Sequence, residues 1–230
     1  MESIKYGWNK FTKNAGPFVL AALLVLVVGG LISFLGQLLA AGIFDTSTTT
    51  TVDPNTGALQ VEGGGGLVAG LLVNGVVSFI GQLVTTLLAA GLLKMAFDVV
   101  DGKQASLGTM LEGWDKVQLL VAAILTSILT AIGLILCVLP GIAVLFFTAF
   151  TSAFVVDRKL GAVDAIKGSF DLVKNNLGAV LVWILLAIVC TFVGALVCLV
   201  GLLVAVPVVV ISQAYTMRAL HGQQVAPLST

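Results

Sequence analysis

Apolar residues run along this chain in long blocks, and charged residues are confined to the short stretches between them. The uncharged blocks are Pro17 to Phe44, Gly63 to Leu93, Val117 to Val156 and Asn175 to Met217. An apolar stretch of about 18 residues or more reads as a spanning helix, because hydrocarbon offers backbone groups no partner outside the helix. The first two blocks each hold one span. The last two are each long enough for a pair of crossings at about 1.5 Å per residue. Breaks are expected at Leu139-Pro140-Gly141 in the third block and near Gly201 and Pro207 in the fourth. Six spans result. Ile142 to Val156 is short for a straight crossing and has a re-entrant segment as its alternative, although Cys137 to Leu139 can extend it outward. The first span is too long for a cleaved signal peptide, and no small-residue cleavage site precedes a polar domain.

Composition strengthens this reading. The chain is 59% hydrophobic and 10% charged, with mean hydropathy +1.14, whereas a soluble domain carries about 25% charged residues. So few charges could not cover a water-facing surface. The formal net charge is zero, which gives no pull toward nucleic acid. The placement of charge is more informative. Lys5, Lys10, Lys13, Lys94, Lys103, Lys116, Arg158, Lys159, Lys167, Lys174 and Arg218 all fall on one side of the predicted membrane. Basic residues gather on the cytoplasmic side. The expectation is therefore a multi-pass protein of the bacterial cytoplasmic membrane with both termini inside. The external loop, Asp45 to Glu62, carries only acids: Asp45, Asp53 and Glu62.

The chain also repeats itself. Ser3-Ile4-Lys5-Tyr6-Gly7-Trp8-Asn9 parallels Ala165-Ile166-Lys167-Gly168-Ser169-Phe170-Asp171, and each continues to an Asn (Asn14, Asn176) and a Gly (Gly16, Gly178). A third copy is Thr109-Met110-Leu111-Glu112-Gly113-Trp114-Asp115-Lys116. The closing ends match too: Phe97 to Lys103 with Phe154 to Lys159, and His221-Gly222-Gln223-Gln224 with Asp101-Gly102-Lys103-Gln104. Each copy opens on an amphipathic stretch, since Ile4, Trp8 and Phe11 share a helical face. So do Leu107, Met110, Leu111, Trp114 and Val117, and likewise Val163, Ile166, Phe170 and Val173. These stretches read as cytosolic connecting helices or as helices in the headgroup layer. Trp8, Trp114 and Phe170 are the membrane-interface candidates, because an indole there buries its ring and keeps its N–H wet. The predicted architecture is all-α, with six transmembrane helices in three units of amphipathic helix plus helical hairpin. The units are about 3–108, 109–164 and 165–228, within a single membrane domain 1–230.

The first unit carries an external insertion at 45–65. Thr-rich β-formers (Thr46 to Val52) and Ala58 to Glu62 flank Asp53-Pro54-Asn55-Thr56-Gly57, which points to a β-hairpin or an unstructured outer loop. Among the spans, Ser33-Phe34-Leu35-Gly36-Gln37-Leu38 echoes Ser78-Phe79-Ile80-Gly81-Gln82-Leu83. Ser33, Gln37, Ser78 and Gln82 are candidate interhelical polar contacts, or contacts to a headgroup or solute. Gly29, Gly30, Gly36, Gly66, Gly70, Gly75 and Gly81 permit close helix approach. No ionisable group sits clearly in mid-membrane, which weighs against an ion-coupled pump.

Enzyme signals are lacking: no Gly-x-Ser-x-Gly, His-Glu-x-x-His or phosphate-loop pattern occurs. His221, the single histidine, reads as a solvated residue past the last span. Cys137, Cys190 and Cys198 have no metal-binding spacing. Cys137 and Cys198 occupy related outer positions where a disulfide is an option, with buried small hydrophobes the default. No catalytic residue, metal or cofactor is implied.

Leu139-Pro140-Gly141, the apolar stretch to Val155-Val156-Asp157, and Gly161 to Phe170 together resemble a diffuse superfamily of bacterial integral-membrane proteins. It includes YciC-type proteins and the membrane domain of some glycerophosphodiester phosphodiesterases. The likeness covers about 104–200, with a fainter echo at 3–20, and rests on a Pro-Gly opening a span followed by Ala165-x-x-x-Ser169. It implies a helical membrane fold and carries over no catalytic residue. The functional expectation is a non-enzymatic accessory or structural subunit of a membrane assembly, with membrane lipids, other membrane proteins or a second copy as partners. The alternative is a passive transporter, exporter or lipid-handling protein.

Overall fold

The computed structural model describes residues 2–43, 49–52, 59–62 and 65–227; the side chains of 40–71, 198 and 199 also lie outside the described set. The elements are α1 (Glu2–Lys13), α2 (Ala15–Ile43), β1 (Thr49–Val52), β2 (Leu59–Glu62), α3 (Gly65–Val100), α4 (Lys116–Leu136), α5 (Val138–Phe147), α6 (Thr151–Arg158), α7 (Ala162–Asn175), α8 (Leu177–Leu196) and α9 (Cys198–Leu220). The protein is an all-α membrane protein with a small β-hairpin. Its six stretches long and apolar enough to cross a membrane are Ala15–Leu39, Leu72–Val100, Lys116–Leu136, Val138–Arg158, Leu177–Leu196 and Val200–Leu220. In the insertion, β1 and β2 pair antiparallel with Thr49 opposite Glu62 and Val52 opposite Leu59. The turn residues 53–58, and Gly63 and Gly64, lie outside the described residues.

The chain forms two compact units. One is Val25–Thr85, in which α2 and α3 meet through glycines. A Cβ on Gly36 would lie 2.8 Å from Val77, and one on Gly81 would lie 2.7 Å from Ile32. The other unit is Met1–Leu24 with Thr86–Thr230. Its core gathers toward the charged ends of the helices, around Phe18, Met95, Phe97, Phe150, Val155 and Met217. At the opposite ends, two hairpins close on bare backbone. A Cβ on Gly133 would lie 2.9 Å from the Gly141 Cα, and one on Gly194 would lie 2.9 Å from the Gly201 carbonyl oxygen.

Several expected boundaries move. The first break falls at Cys137, not at Pro140, because proline fits the first turn of α5, where its missing N–H is not needed. The second falls at Val197; Gly201 and Pro207 both lie within α9. The fourth span is two short helices separated at 148–150. The second amphipathic copy is not a helix. Residues 107–114 form successive turns, with Met110 N–H to Leu107 O and Glu112 N–H to Thr109 O. Gly108 and Gly113 bracket too few residues to repay helix nucleation, and Gly113 sits at φ +82°.

The first and third copies do form helices, α1 and α7, and their exits are built alike. The Asn14 side-chain amide donates to Lys10 O at 3.1 Å, and that of Asn176 donates to Leu172 O at 2.9 Å. The Asn14 and Asn176 N–H groups bond to Phe11 O and Val173 O, and their carbonyls accept from Phe18 and Val180. One residue thus satisfies the end of one helix and the start of the next. Helices α3 and α9 end alike as well, with Gly102 (φ +86°) and Gly222 (φ +65°) left-handed, and Lys103 and Gln223 N–H groups returning to Asp98 O and Arg218 O.

Helix α1 packs on α9 through Gly7, where a Cβ would lie 2.6 Å from Val208 O. Gly7→Ala is expected to cost about 1–3 kcal/mol through overpacking. Gly16→Ala, which meets nothing within 4 Å, should hold or raise stability. Thermal unfolding of both variants in mild detergent checks this.

Candidate functional site

The polar residues singled out from the sequence do not converge inside the protein. Ser33, Gln37, Ser78 and Gln82 are all exposed on α2 and α3. Trp8, 55% exposed, and Phe170, 43% exposed, present their rings outward as interface residues would. Trp114 does not: it is 7% exposed, and its N–H donates to Met110 O at 3.2 Å inside the protein. The turns at 107–114 fold it inward, and Met110 itself fills the space left at Gly91. His221 is exposed past the last span, and its ring also packs edge-to-face on Phe154 at 5.6 Å. Cys137 is free and exposed rather than buried, and Cys190 is free and half-buried. The Cys198 side chain, and with it the Cys137–Cys198 pairing, lies outside the described residues, as do the surroundings of Gly66 and Gly70.

What the structure does bring together is a pair of polar centres. The first lies at the interruption between α5 and α6. A broken helix inside a membrane leaves backbone groups without partners. Ser169 of α7 supplies two: its hydroxyl donates to Phe147 O at 2.7 Å and accepts from Phe150 N–H at 3.1 Å. Gln213 of α9 supplies a third, its amide donating to Ala149 O at 2.9 Å. Next to it, Trp183 N–H donates to the buried Ser212 hydroxyl at 3.0 Å, with the indole against Phe150. A Cβ on Gly168 would lie 3.0 Å from the Phe154 ring, so the glycine lets α7 lie close enough for Ser169 to reach. In the sequence Ser169 stands only as the end of the Ala165-x-x-x-Ser169 spacing, which assigns it no contact, and nothing there points to Gln213.

The second centre is charged and joins three helix ends. Arg218 near the end of α9 donates to Asp157 at 2.7 Å and to Asp101 at 3.1 Å. It also reaches Gln223 Oε1 at 2.8 Å and lies 5.4 Å above the Phe97 ring. Asp157 closes α6 and is also 3.4 Å from Arg158. Asp98, buried on α3, accepts from Lys94 at 2.6 Å and from Lys103 at 3.5 Å. Each charge therefore has an opposite partner, which a charge in a poorly hydrated place requires. The segment after α9 crosses this end of the protein. Ala226 N–H bonds to Val100 O at 2.8 Å, Tyr6 Oη donates to Ala226 O at 2.8 Å, and Lys10 Nζ donates to Pro227 O at 3.1 Å. Burial first, then the neighbouring Tyr215 and Asp101, push the Tyr6 phenol up to about 12.

These centres use polar groups to hold helices together, and no group of three or more His, Cys, Asp or Glu that could hold a metal occurs among the described residues. They belong to a multi-pass helical membrane protein. Residues 116–228 match a family described as a domain of unknown function, DUF7847. Over 229 residues the chain is 33% identical to the uncharacterised protein Mb2590 of Mycobacterium bovis and to MT2637 of Mycobacterium tuberculosis strain CDC 1551, covering 97% of this chain and 69% of each relative. It is 32% identical, over the same shares, to the uncharacterised protein Rv2560 of Mycobacterium tuberculosis strain H37Rv. The chain belongs to the family of these bacterial proteins. No solved structure matches it.

Removing Arg218 leaves Asp157 and Asp101 together without their shared cation. Arg218→Gln should destabilise the protein by about 3 kcal/mol, and adding Asp157→Asn to it should recover part of that loss, as read by thermal unfolding. A second expectation concerns pH. Tyr6 is neutral in the folded protein up to about 12 but would ionise near 10 once exposed. Its contribution to stability is therefore complete below pH 10 and is lost as pH rises from 10 to 12. Tyrosinate absorbance of folded protein should show a component near 12 that Tyr6→Phe removes.

Proposed function

We propose that this is a non-enzymatic protein of the bacterial cytoplasmic membrane, an accessory or structural subunit that packs against lipid and other membrane proteins. Both termini and the charged helix ends face the cytoplasm in this reading, following the sidedness of the basic residues. Three related hairpin units supply the architecture, supported by the twin Asn14 and Asn176 junctions and the twin Gly102 and Gly222 helix ends. The likeness of 104–200 to the YciC-type group fits the same reading.

The observation that carries the proposal is how the polar groups near the helix break and the charged end are used. Ser169, Ser212, Gln213, Trp183 and Arg218 are engaged with other parts of the chain. The surface left for contact is apolar: Ile135, Leu136, Leu139, Phe192 and Leu196 are all well exposed. A surface of this kind meets lipid tails or another apolar helix. One feature favours the lipid-handling alternative as a second reading. An open groove of about 710 Å³ runs between α5 and α8, lined by Ile142, Leu145, Phe146, Trp183, Ile188 and Phe192 among others.

The test is the mass and composition of the native particle released in mild detergent, with its lipids identified. A defined larger complex containing other membrane proteins is the expected result. A lone chain carrying one strongly enriched lipid would overturn the subunit reading in favour of lipid handling, and Ile188→Trp should then displace that lipid from the groove.

A further inference from the structure

The interruption of the fourth span has two sides, and only one is closed by protein. Toward α7 and α9, Ser169 and Gln213 take up its backbone groups. Toward α4 there is a pocket of about 150 Å³ lined by Thr86, Thr126, Thr148, Thr151 and Ser152, with apolar α4 side chains as its remaining walls. Five hydroxyls around one small space form an unusual concentration within apolar helices.

The hydroxyls differ in what they have left to offer. Thr126 donates to Ala122 O at 2.8 Å, sharing its proton with Ala123 O, and Thr148 donates to Val144 O at 2.7 Å. Their protons are committed, yet each oxygen keeps lone pairs that can accept. Thr151 is the exception. The residue is 5% exposed, and its Oγ1 is buried with no partner in the protein. A hydroxyl held out of water without a hydrogen bond is costly, and native structures seldom leave one so. A ligand that both accepts and donates would complete the set.

We propose that this pocket is an intramembrane binding site for a small neutral hydrogen-bonding molecule, and that water occupies it. Thr151 donates to the ligand, and the ligand donates in turn to Thr126 and Thr148. Among the described residues no charged side chain lines the space, which selects a neutral ligand over an ion. At roughly 30 Å³ of liquid volume each, at most about five waters fit. Hydration on this face complements the side-chain bonds on the other, so the break is satisfied by fixed protein groups on one side and by exchangeable ones on the other.

The sign of one substitution tests the idea. Thr151→Val keeps the shape and removes the hydroxyl. If water is bound, Thr151→Val in the full chain should lower Tm by about 3 °C, and Thr151→Ser should keep most of the wild-type value. If the pocket is dry, Thr151→Val relieves an unpaired hydroxyl, and an unchanged or raised Tm overturns the proposal. Should the valine variant fail to fold, pulsed X-ray radiolysis of the wild-type protein in detergent decides. Hydroxyl-radical labelling of 146–152 well above that of the buried stretch 95–100, which holds the reactive Met95 and Phe97, supports bound water, and equal labelling of the two refutes it.

Discussion

Hydrocarbon gives the backbone nothing to bond to, and the described local departures from regular helix in this protein answer that constraint. Where α1 meets α2 and where α7 meets α8, one asparagine serves both helices at once. Where the fourth span breaks, a serine and a glutamine from other helices take the released groups. Where hairpins turn at the apolar ends, the turn is reduced to a single residue, Cys137 or Val197, flanked by glycines that let the two helices touch. A longer turn would carry more unbonded amides into a region that cannot solvate them.

The charged ends follow a related rule. Arg218, Asp157 and Asp98 are withdrawn far enough from water that each must be matched by an opposite charge. Such pairs add little net stability over apolar packing, but they are selective about geometry. Only when α3, α6 and α9 end at the same level can one guanidinium reach both Asp101 and Asp157. The cluster therefore sets the depth at which three spans stop, something apolar packing alone leaves free to slide.

The spans were legible from hydropathy because twenty uncharged residues have few other fates, and the amphipathic α1 and α7 from their 3.6-residue period. The strand pairing was one of two outcomes the pattern left open, a threonine-rich segment and Ala58 to Glu62 on either side of a turn sequence, with an unstructured loop as the other. Breaks were harder. Proline looked like the interruption at 140 and 207, but its position within a helix decides its effect, and that depends on a start point the pattern does not mark. Trp114 was misplaced because its apolar spacing matches a helix while Gly108 and Gly113 forbid one. The polar centres were the least visible. Gln37 and Gln82 drew notice as an echoed pair, yet they face outward. Gln213 and Arg218 acquire their roles from partners 64 and 117 residues away, a distance at which local pattern carries no information.

The docking of α1 has a temporal meaning. Its contacts are Gly7 against Val208, Tyr6 against Tyr215 and Ala226, and Lys10 with Pro227. Helix α1 leaves the ribosome well before the surfaces that receive it, which are made some 200 residues later, or about 10–40 s at usual rates of synthesis. During that interval α1 is an amphipathic helix with its apolar stripe uncovered, and the membrane surface is the obvious place for it to wait. The docking of α1 therefore waits on α9, and an early segment closes over a late one.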